Sequence, residues 1–144
     1  MYSEVLVFTC NWGGWTCIET AANLGLHYPA TVKVVKVSCL SRLHTGLMLK
    51  PFELGAAGVV LLGCEPGNCH FGIDSKCTIN EYEKARSLLK ILGIEEGRLV
   101  LLQLPAYSGR QFIERLMKFI EEVRGTSISG GIGASRDTSI QSTL

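Results

Sequence analysis

Gly58-Val59-Val60-Leu61-Leu62-Gly63-Cys64 is the stretch on which the architecture turns. Its middle is apolar without alternation and rich in branched side chains, the pattern of a strand buried on both faces, and such strands belong to parallel sheets covered by helices. Three more runs repeat it on either side. Val5-Leu6-Val7-Phe8-Thr9 ends at Cys10, Val32 to Val37 ends at Ser38-Cys39, and Leu99 to Leu104 ends at Pro105.

The intervening segments carry helical periodicity. Asn80 to Leu92 is the clearest: Asn80 stands as a cap with Glu83 three residues on as in a capping box. Tyr82, Ala85, Leu88, Leu89 and Leu92 form one apolar stripe, and Gly93 is the stop. Gly109 to Arg124 is the second, with Phe112, Leu116, Phe119, Ile120 and Val123 on its buried side and Gly125 as its end. Thr16 to Leu26 is moderately helical, and Thr45 to Gly55 contains Pro51, which predicts a kink or a restart there. Four strands alternating with four helices predict an α/β fold: a doubly wound three-layer domain of the flavodoxin or Rossmann kind, with a four-stranded parallel sheet. The expected division is one domain over residues 1–125 and a Ser/Gly/Thr-rich tail over 126–144. That tail is too poor in apolar side chains to order itself unless a partner covers it.

The 144 residues include 14 Lys+Arg against 13 Asp+Glu, and a net charge of +1 offers no footprint for a nucleic-acid backbone or an anionic membrane. Charged residues make up 19%, below the roughly 25% of ordinary soluble domains, so surface apolar area is expected to face a partner in a hetero-oligomer. No apolar run approaches the roughly 18 residues of a membrane span, and the start at Met1 to Glu4 leads straight into a strand, which points to a cytoplasmic location. In that compartment six cysteines read as reduced ligands or redox groups instead of structural disulfides.

In doubly wound sheets, ligands sit beyond the carboxyl ends of the strands, where the strand order reverses. Cys10, Cys39 and Cys64 each close a different expected strand, so three thiols should converge there. Gly63-Cys64-Glu65-Pro66-Gly67-Asn68-Cys69-His70 adds a fourth, within a loop whose glycines let backbone amides approach an anion. Cys10, Cys39, Cys64 and Cys69 thus make a four-thiol metal set suited to iron-sulfur ligation. Zinc also takes four thiolates, but its usual C-x2-C knuckles are missing, as is the Cys-x-x-Cys of a thioredoxin-like dithiol. Cys17 is either a core residue of the first helix or an alternative ligand, and Cys77 reads as structural or incidental.

Other residues near the thiols have two readings each. Arg42 either sets positive charge beside the centre or is simply solvated. His44 and His70 would ligate iron only as a pair, as in Rieske centres, so His70 reads better as a supporting or interface residue. Trp12 and Trp15 either pack, shield the centre, or seat a partner. The first strand is followed by no phosphate loop or Gly-x-Gly-x-x-Gly fingerprint, and the chain has no nucleophile elbow, paired carboxylates or Ser-His-Asp set. These absences leave a stand-alone flavoprotein without a phosphate cradle and describe an electron-transfer component better than a catalytic subunit.

Phe8-Thr9-Cys10-Asn11-Trp12, Cys39 followed by Arg42, and above all Gly58 to Phe71 with its Gly-Cys-x-Pro-Gly-x-Cys-His element resemble the methyl-viologen-reducing hydrogenase delta subunit family, over roughly Val5 to Val123. The resemblance implies a small iron-sulfur subunit with a [2Fe-2S] cluster. It would relay electrons between a hydrogenase, formate dehydrogenase or other metalloenzyme and the FAD-containing, A-type subunit of a heterodisulfide reductase or of a related bifurcating complex of anaerobes. Three departures stand out. The family's Cys-Asn-Trp-Cys has Gly13 at its second cysteine, its Cys-Ser-Gly-Arg reads Cys39-Leu40-Ser41-Arg42, and Glu65 follows Cys64. If the thiol replaced by Gly13 were required, Cys17 would be recruited or the site left empty; otherwise Cys10, Cys39, Cys64 and Cys69 are complete, which is the set favoured here. The departures also suggest a divergent complex, such as a tungsten- or molybdenum-enzyme assembly. The alternative expectation is a non-catalytic adaptor that docks the flavoprotein to its redox partner, with zinc or no metal.

Overall fold

The computed structural model describes residues 4–69, 71–73 and 75–130. In chain order it contains β1 (Val5–Cys10), α1 (Gly13–Asn23), β2 (Val32–Val37), a 3-10 turn (Leu40–Arg42), α2 (Thr45–Glu53) and β3 (Gly58–Cys64). These are followed by α3 (Lys76–Ile91), a second 3-10 turn (Glu96–Arg98), β4 (Leu99–Leu104) and α4 (Gly109–Gly130). All four strands are parallel, in the order β2-β1-β3-β4, with Val7 opposite Val34 and Val60, and Leu62 opposite Leu102. The chain steps from β1 outward to β2, then returns to the other side of β1 for β3. The strand order therefore reverses between β1 and β3, which is the doubly wound arrangement expected.

Each strand divides its side chains between two layers, as a period of two requires. Val5, Val7, Val60, Leu62, Leu102 and Leu104 pack with Cys17, Ile18 and Ala21 of α1 and with Phe112, Leu116, Phe119, Ile120 and Val123 of α4. Phe8, Val59, Leu61 and Leu99 pack on the other face with Met48 of α2 and Ala85 and Leu89 of α3. Both faces of β1 and β3 are covered, which is why those two segments read as unbroken apolar runs. Gly58 has a packing reason: a Cβ there would lie 2.7 Å from the Phe119 ring.

The helix boundaries correct the sequence reading in four places. Helix α1 begins at Gly13, ahead of the expected Thr16. Pro51 does not restart α2; it lies buried within the last turn of a helix that runs continuously from Thr45 to Glu53. Helix α3 begins at Lys76 behind Ser75, so the expected Asn80 cap and Glu83 box fall inside it, and Leu88 and Leu92 are exposed while Ala85 and Leu89 are fully buried. Helix α4 passes Gly125 and ends at Gly130, since one glycine inside a helix costs only about 1 kcal/mol. The rest of the expected tail, residues 131–144, lies outside the described residues.

Candidate functional site

The reversal point sets the site. Strands β1 and β3 finish side by side, and their terminal residues, Cys10 and Cys64, bring their sulfurs to 3.5 Å. Helix α1 starts directly beyond, with no side-chain cap, and its Gly14 N–H donates to Cys10 Sγ at 3.1 Å. The sulfur thus takes one of the donors that a helix N-terminus leaves without an intrahelical partner. Only glycine permits this approach: a Cβ at position 14 would stand 2.5 Å from Thr9 Oγ1, 2.6 Å from the Leu62 carbonyl oxygen and 3.2 Å from Cys10 Sγ. Gly13 faces the same place, for a Cβ there would be 3.1 Å from Cys64 Sγ.

A second pair of thiols forms from loops. Cys39 follows β2 in extended backbone and precedes the 3-10 turn, where Ser41 Oγ donates to its sulfur at 3.2 Å. Cys69 follows a turn built by Pro66-Gly67, closed by the Asn68 N–H to the Glu65 carbonyl at 2.9 Å, with Gly67 at φ +86°, the value a type II turn needs at that position. Burial pushes the Cys69 thiol upward. The backbone N–H groups of Ile73 and Phe71, the Cys39 thiol and the Gly72 N–H outweigh that and hold it below the ordinary thiol value. The two pairs face one small cavity of about 40 Å³, whose wall also includes Leu40, Ser41, Gly63, Glu65, Thr78 and Gln103.

All four expected thiols therefore reach one cavity, but as two pairs. Cys17 does not join them. It is fully buried among the α1–α4 core residues, where burial pushes its thiol up to about 11 against the opposing hydrogen bond from the Ser108 backbone. Cys77 is exposed on α3. Arg42 is exposed and absent from the cavity wall, so the polar group beside Cys39 is Ser41 and not the arginine. His44 precedes the first turn of α2, and His70 lies outside the described residues. Sequence reasoning missed Gly14 and Ser41, both of which donate to a sulfur. It also missed Glu81, whose carboxylate accepts from the Thr45 N–H at 2.8 Å and the Thr45 hydroxyl at 2.7 Å, and so anchors the start of α2 just behind the Cys39 turn. Those Thr45 hydrogen bonds, with Lys84 at 3.1 Å, bring the Glu81 carboxyl down to about 2.

Residues 5–126 match the family model of the methyl-viologen-reducing hydrogenase delta subunit. The chain is 31% identical over 121 residues to the D-type iron-sulfur subunit of the F420-non-reducing hydrogenase of Archaeoglobus profundus, covering 84% of this chain and 88% of that one. It is 30% identical over 109 residues to the D-type iron-sulfur subunit of the F420-non-reducing hydrogenase vhc of Methanococcus voltae, covering 76% of each. It is also 27% identical over 122 residues to the A-type subunit of the ferredoxin:CoB-CoM heterodisulfide reductase of Methanosarcina mazei; there the match covers 83% of this chain but spans only 15% of the much longer relative.

These findings correct the expected [2Fe-2S] cluster. The family matched is that of a hydrogenase delta subunit, which is not known as a [2Fe-2S] protein, and among the described residues no group of three or more His, Cys, Asp or Glu is placed to hold a metal ion. The physical reason is the pairing: Cys10 and Cys64 are set by strand ends and Cys39 and Cys69 by loops, and among the described residues the two couples do not form one metal-holding group. No described helix is long and apolar enough to cross a membrane. By the match of its residues 5–126, the chain belongs to the methyl-viologen-reducing hydrogenase delta subunit family.

Proposed function

We propose that this chain is the electron-transfer subunit of a hydrogenase- or heterodisulfide-reductase-type assembly, and that Cys10, Cys39, Cys64 and Cys69 are the residues through which it engages its redox-active metal. The observation that carries the reading is the meeting of four thiols from three loops on one cavity at the strand-order reversal. The donor type suits iron, since thiolates are soft ligands and each pair offers two of them, although among the described residues the two couples are not drawn together into one metal-holding group. The hydrogenase chains to which this one is similar are named iron-sulfur subunits, which favours iron over zinc.

Bound iron would supply one-electron chemistry; the residues of this chain do the rest. Gly14 and Ser41 aim N–H and O–H donors at Cys10 and Cys39. Three backbone amides favour the thiolate of Cys69. Leu40 and the buried ends of β1 and β3 limit water on the inner side. The partners in this reading are a hydrogenase, or another metalloenzyme, and the A-type polypeptide of a heterodisulfide reductase.

Iron analysis of anaerobically purified protein, combined with a dithionite-reducible absorption, tests the proposal. Iron is expected in the wild type and in Cys77→Ser and lost in Cys64→Ser; an iron-free wild type with no reducible group, even after anaerobic loading with ferrous iron, overturns it. The paired geometry of the thiols favours a second reading, an adaptor with zinc or no metal. Stoichiometric zinc, or undiminished electron flux through an assembly lacking both Cys39 and Cys64, would identify that role.

A further inference from the structure

Cys10 and Cys64 stand close enough to bond to each other. Their sulfurs are 3.5 Å apart and a disulfide spans about 2.05 Å, so each sulfur has only about 0.7 Å to travel. The backbone already suits the bond. Thr9 pairs with Leu62, which puts Cys64 one residue beyond the position level with Cys10 on the neighbouring strand. Strands about 4.8 Å apart, with about 3.3 Å of rise per residue, then place the two Cα atoms about 6 Å apart. That is inside the window of about 4.4 to 6.8 Å that disulfides use. The start of α1 leaves the sulfurs room to turn, because Gly13 and Gly14, which lie against Cys64 Sγ and Cys10 Sγ, carry no side chains.

The two sulfurs differ in access, and this sets an order. Cys10 is 3% exposed, whereas Cys64 is half-buried and leads into the exposed residues Pro66, Gly67 and Asn68. A reagent from solution reaches Cys64 first. We infer that Cys10 and Cys64 form a reversible dithiol–disulfide site that is oxidised by low-molecular-weight disulfides. The Cys64 sulfur, its proton given up to water, attacks one sulfur of the small disulfide; that S–S bond breaks and one small thiol leaves. The Cys10 sulfur then attacks Cys64 Sγ, the mixed S–S bond breaks and the second small thiol leaves. The protein loses two electrons to the small disulfide, and the protons of both cysteines end on the two released thiols. Excess small thiol runs the exchange backwards. The site itself needs no metal; its consequence rests on the redox reading above, since a closed pair withdraws two of the four thiols from iron.

The test takes the full chain, reduced and freed of metal by a chelator, into anaerobic mixtures of reduced and oxidised glutathione. Acid-quenched alkylation and peptide mapping by mass spectrometry then locate every bond. In the wild type a linked Cys10–Cys64 peptide pair is expected. The closed form should exceed the open one by at least about tenfold in a mixture that leaves the exposed Cys77 half converted to its glutathione adduct, the advantage of a partner held in the same molecule. Cys10→Ser removes the second step and should hold the glutathione adduct on Cys64, while Cys64→Ser should leave Cys10 unmodified. If either variant folds poorly, the wild-type map decides alone. A wild type in which Cys64 stays a thiol or stops at the adduct, or in which Cys39 pairs with Cys69 instead, overturns the inference. Loading the same samples with ferrous iron separates it from the redox reading. A chain that loads iron when reduced but never forms the bond keeps that reading and loses the inference; a chain that closes and reopens yet loads no iron does the reverse.

Discussion

The two thiol pairs are built from different materials. Cys10 and Cys64 end the two central strands, so their separation is set by a parallel ladder in which Thr9 faces Leu62, and by the glycine that lets α1 start against them. Cys39 and Cys69 hang on turns, held by Ser41, by the amides after Cys69 and by the Glu81 link to α2. The first pair inherits its geometry from the core, and the second depends on a few polar contacts. If that contrast is right, damage to the inner pair should appear as lost folding, and damage to the outer pair as altered reactivity in a folded protein.

The sharpest way to break the comparison is Gly14→Ala. The new Cβ would crowd Thr9 Oγ1, the Leu62 carbonyl and Cys10 Sγ together, and two of those neighbours belong to strand backbone or a fully buried side chain. Overpacking of this kind costs about 3 kcal/mol, a fall of roughly 10 °C in melting temperature for a domain of this size. Calorimetry showing a loss below about 1 kcal/mol would mean that the inner pair is less constrained than the strands suggest. Chemical labelling of the reduced, metal-free protein comes next. Cys69, held below the ordinary thiol value, should react with iodoacetamide at a pH where Cys17, pushed up to about 11 and buried, stays unmodified, with rates differing by at least about a hundredfold. Peptide mapping by mass spectrometry reads both sites in one experiment.

Much of this contrast also explains what could be read in advance. The central strands β1 and β3 were legible because burial on both faces leaves one pattern, and β1, β2, β3 and β4 all fall where the apolar runs put them. The convergence of Cys10, Cys39 and Cys64 followed from the same fact, since strand ends are fixed once the sheet is. The start of α3 was not legible. Asn80 and Glu83 make a plausible local cap, but Thr78 is buried and lines the cavity while Glu81 reaches across to Thr45, and these tertiary contacts hold a turn that local preference would leave open. Gly14 was invisible for a similar reason: a glycine that admits a neighbouring strand looks, in sequence, like any other. The pairing of the thiols, as opposed to their convergence, depended on side-chain direction and on the Pro66-Gly67 turn, and no spacing rule encodes either.

A smaller effect is expected from Glu81→Gln, which tests whether the outer pair is tied to α2. The Glu81 carboxyl is held at about 2, below its ordinary 4.5, first by the Thr45 hydroxyl and then by Lys84 and the Thr45 N–H. A depressed folded-state value stabilises above the unfolded value, and that stabilisation is lost as pH falls toward 2. The variant should therefore melt lower than wild type at pH 7, by no more than about 3 °C because the link is partly wet, and the gap should close between pH 4.5 and 2. A gap independent of pH would show that Glu81 acts through shape and not through its charge.

Ser41→Ala is the finest cut, because it removes one hydroxyl from one sulfur. Ser41 Oγ donates to Cys39 Sγ at 3.2 Å, in a turn whose backbone is separately closed by the Arg42 N–H to the Cys39 carbonyl at 3.0 Å. The turn should therefore survive, and stability should drop by only about 0.5 kcal/mol, the net worth of a half-exposed hydrogen bond. The hydroxyl sits directly on the Cys39 sulfur, so its loss should alter the rate of Cys39 alkylation by about threefold while leaving Cys10, whose donor is the Gly14 N–H, unchanged. If both rates changed together, the two pairs would be coupled across the cavity. A single, cooperative thiol site would then replace the division into a core-built and a loop-built half.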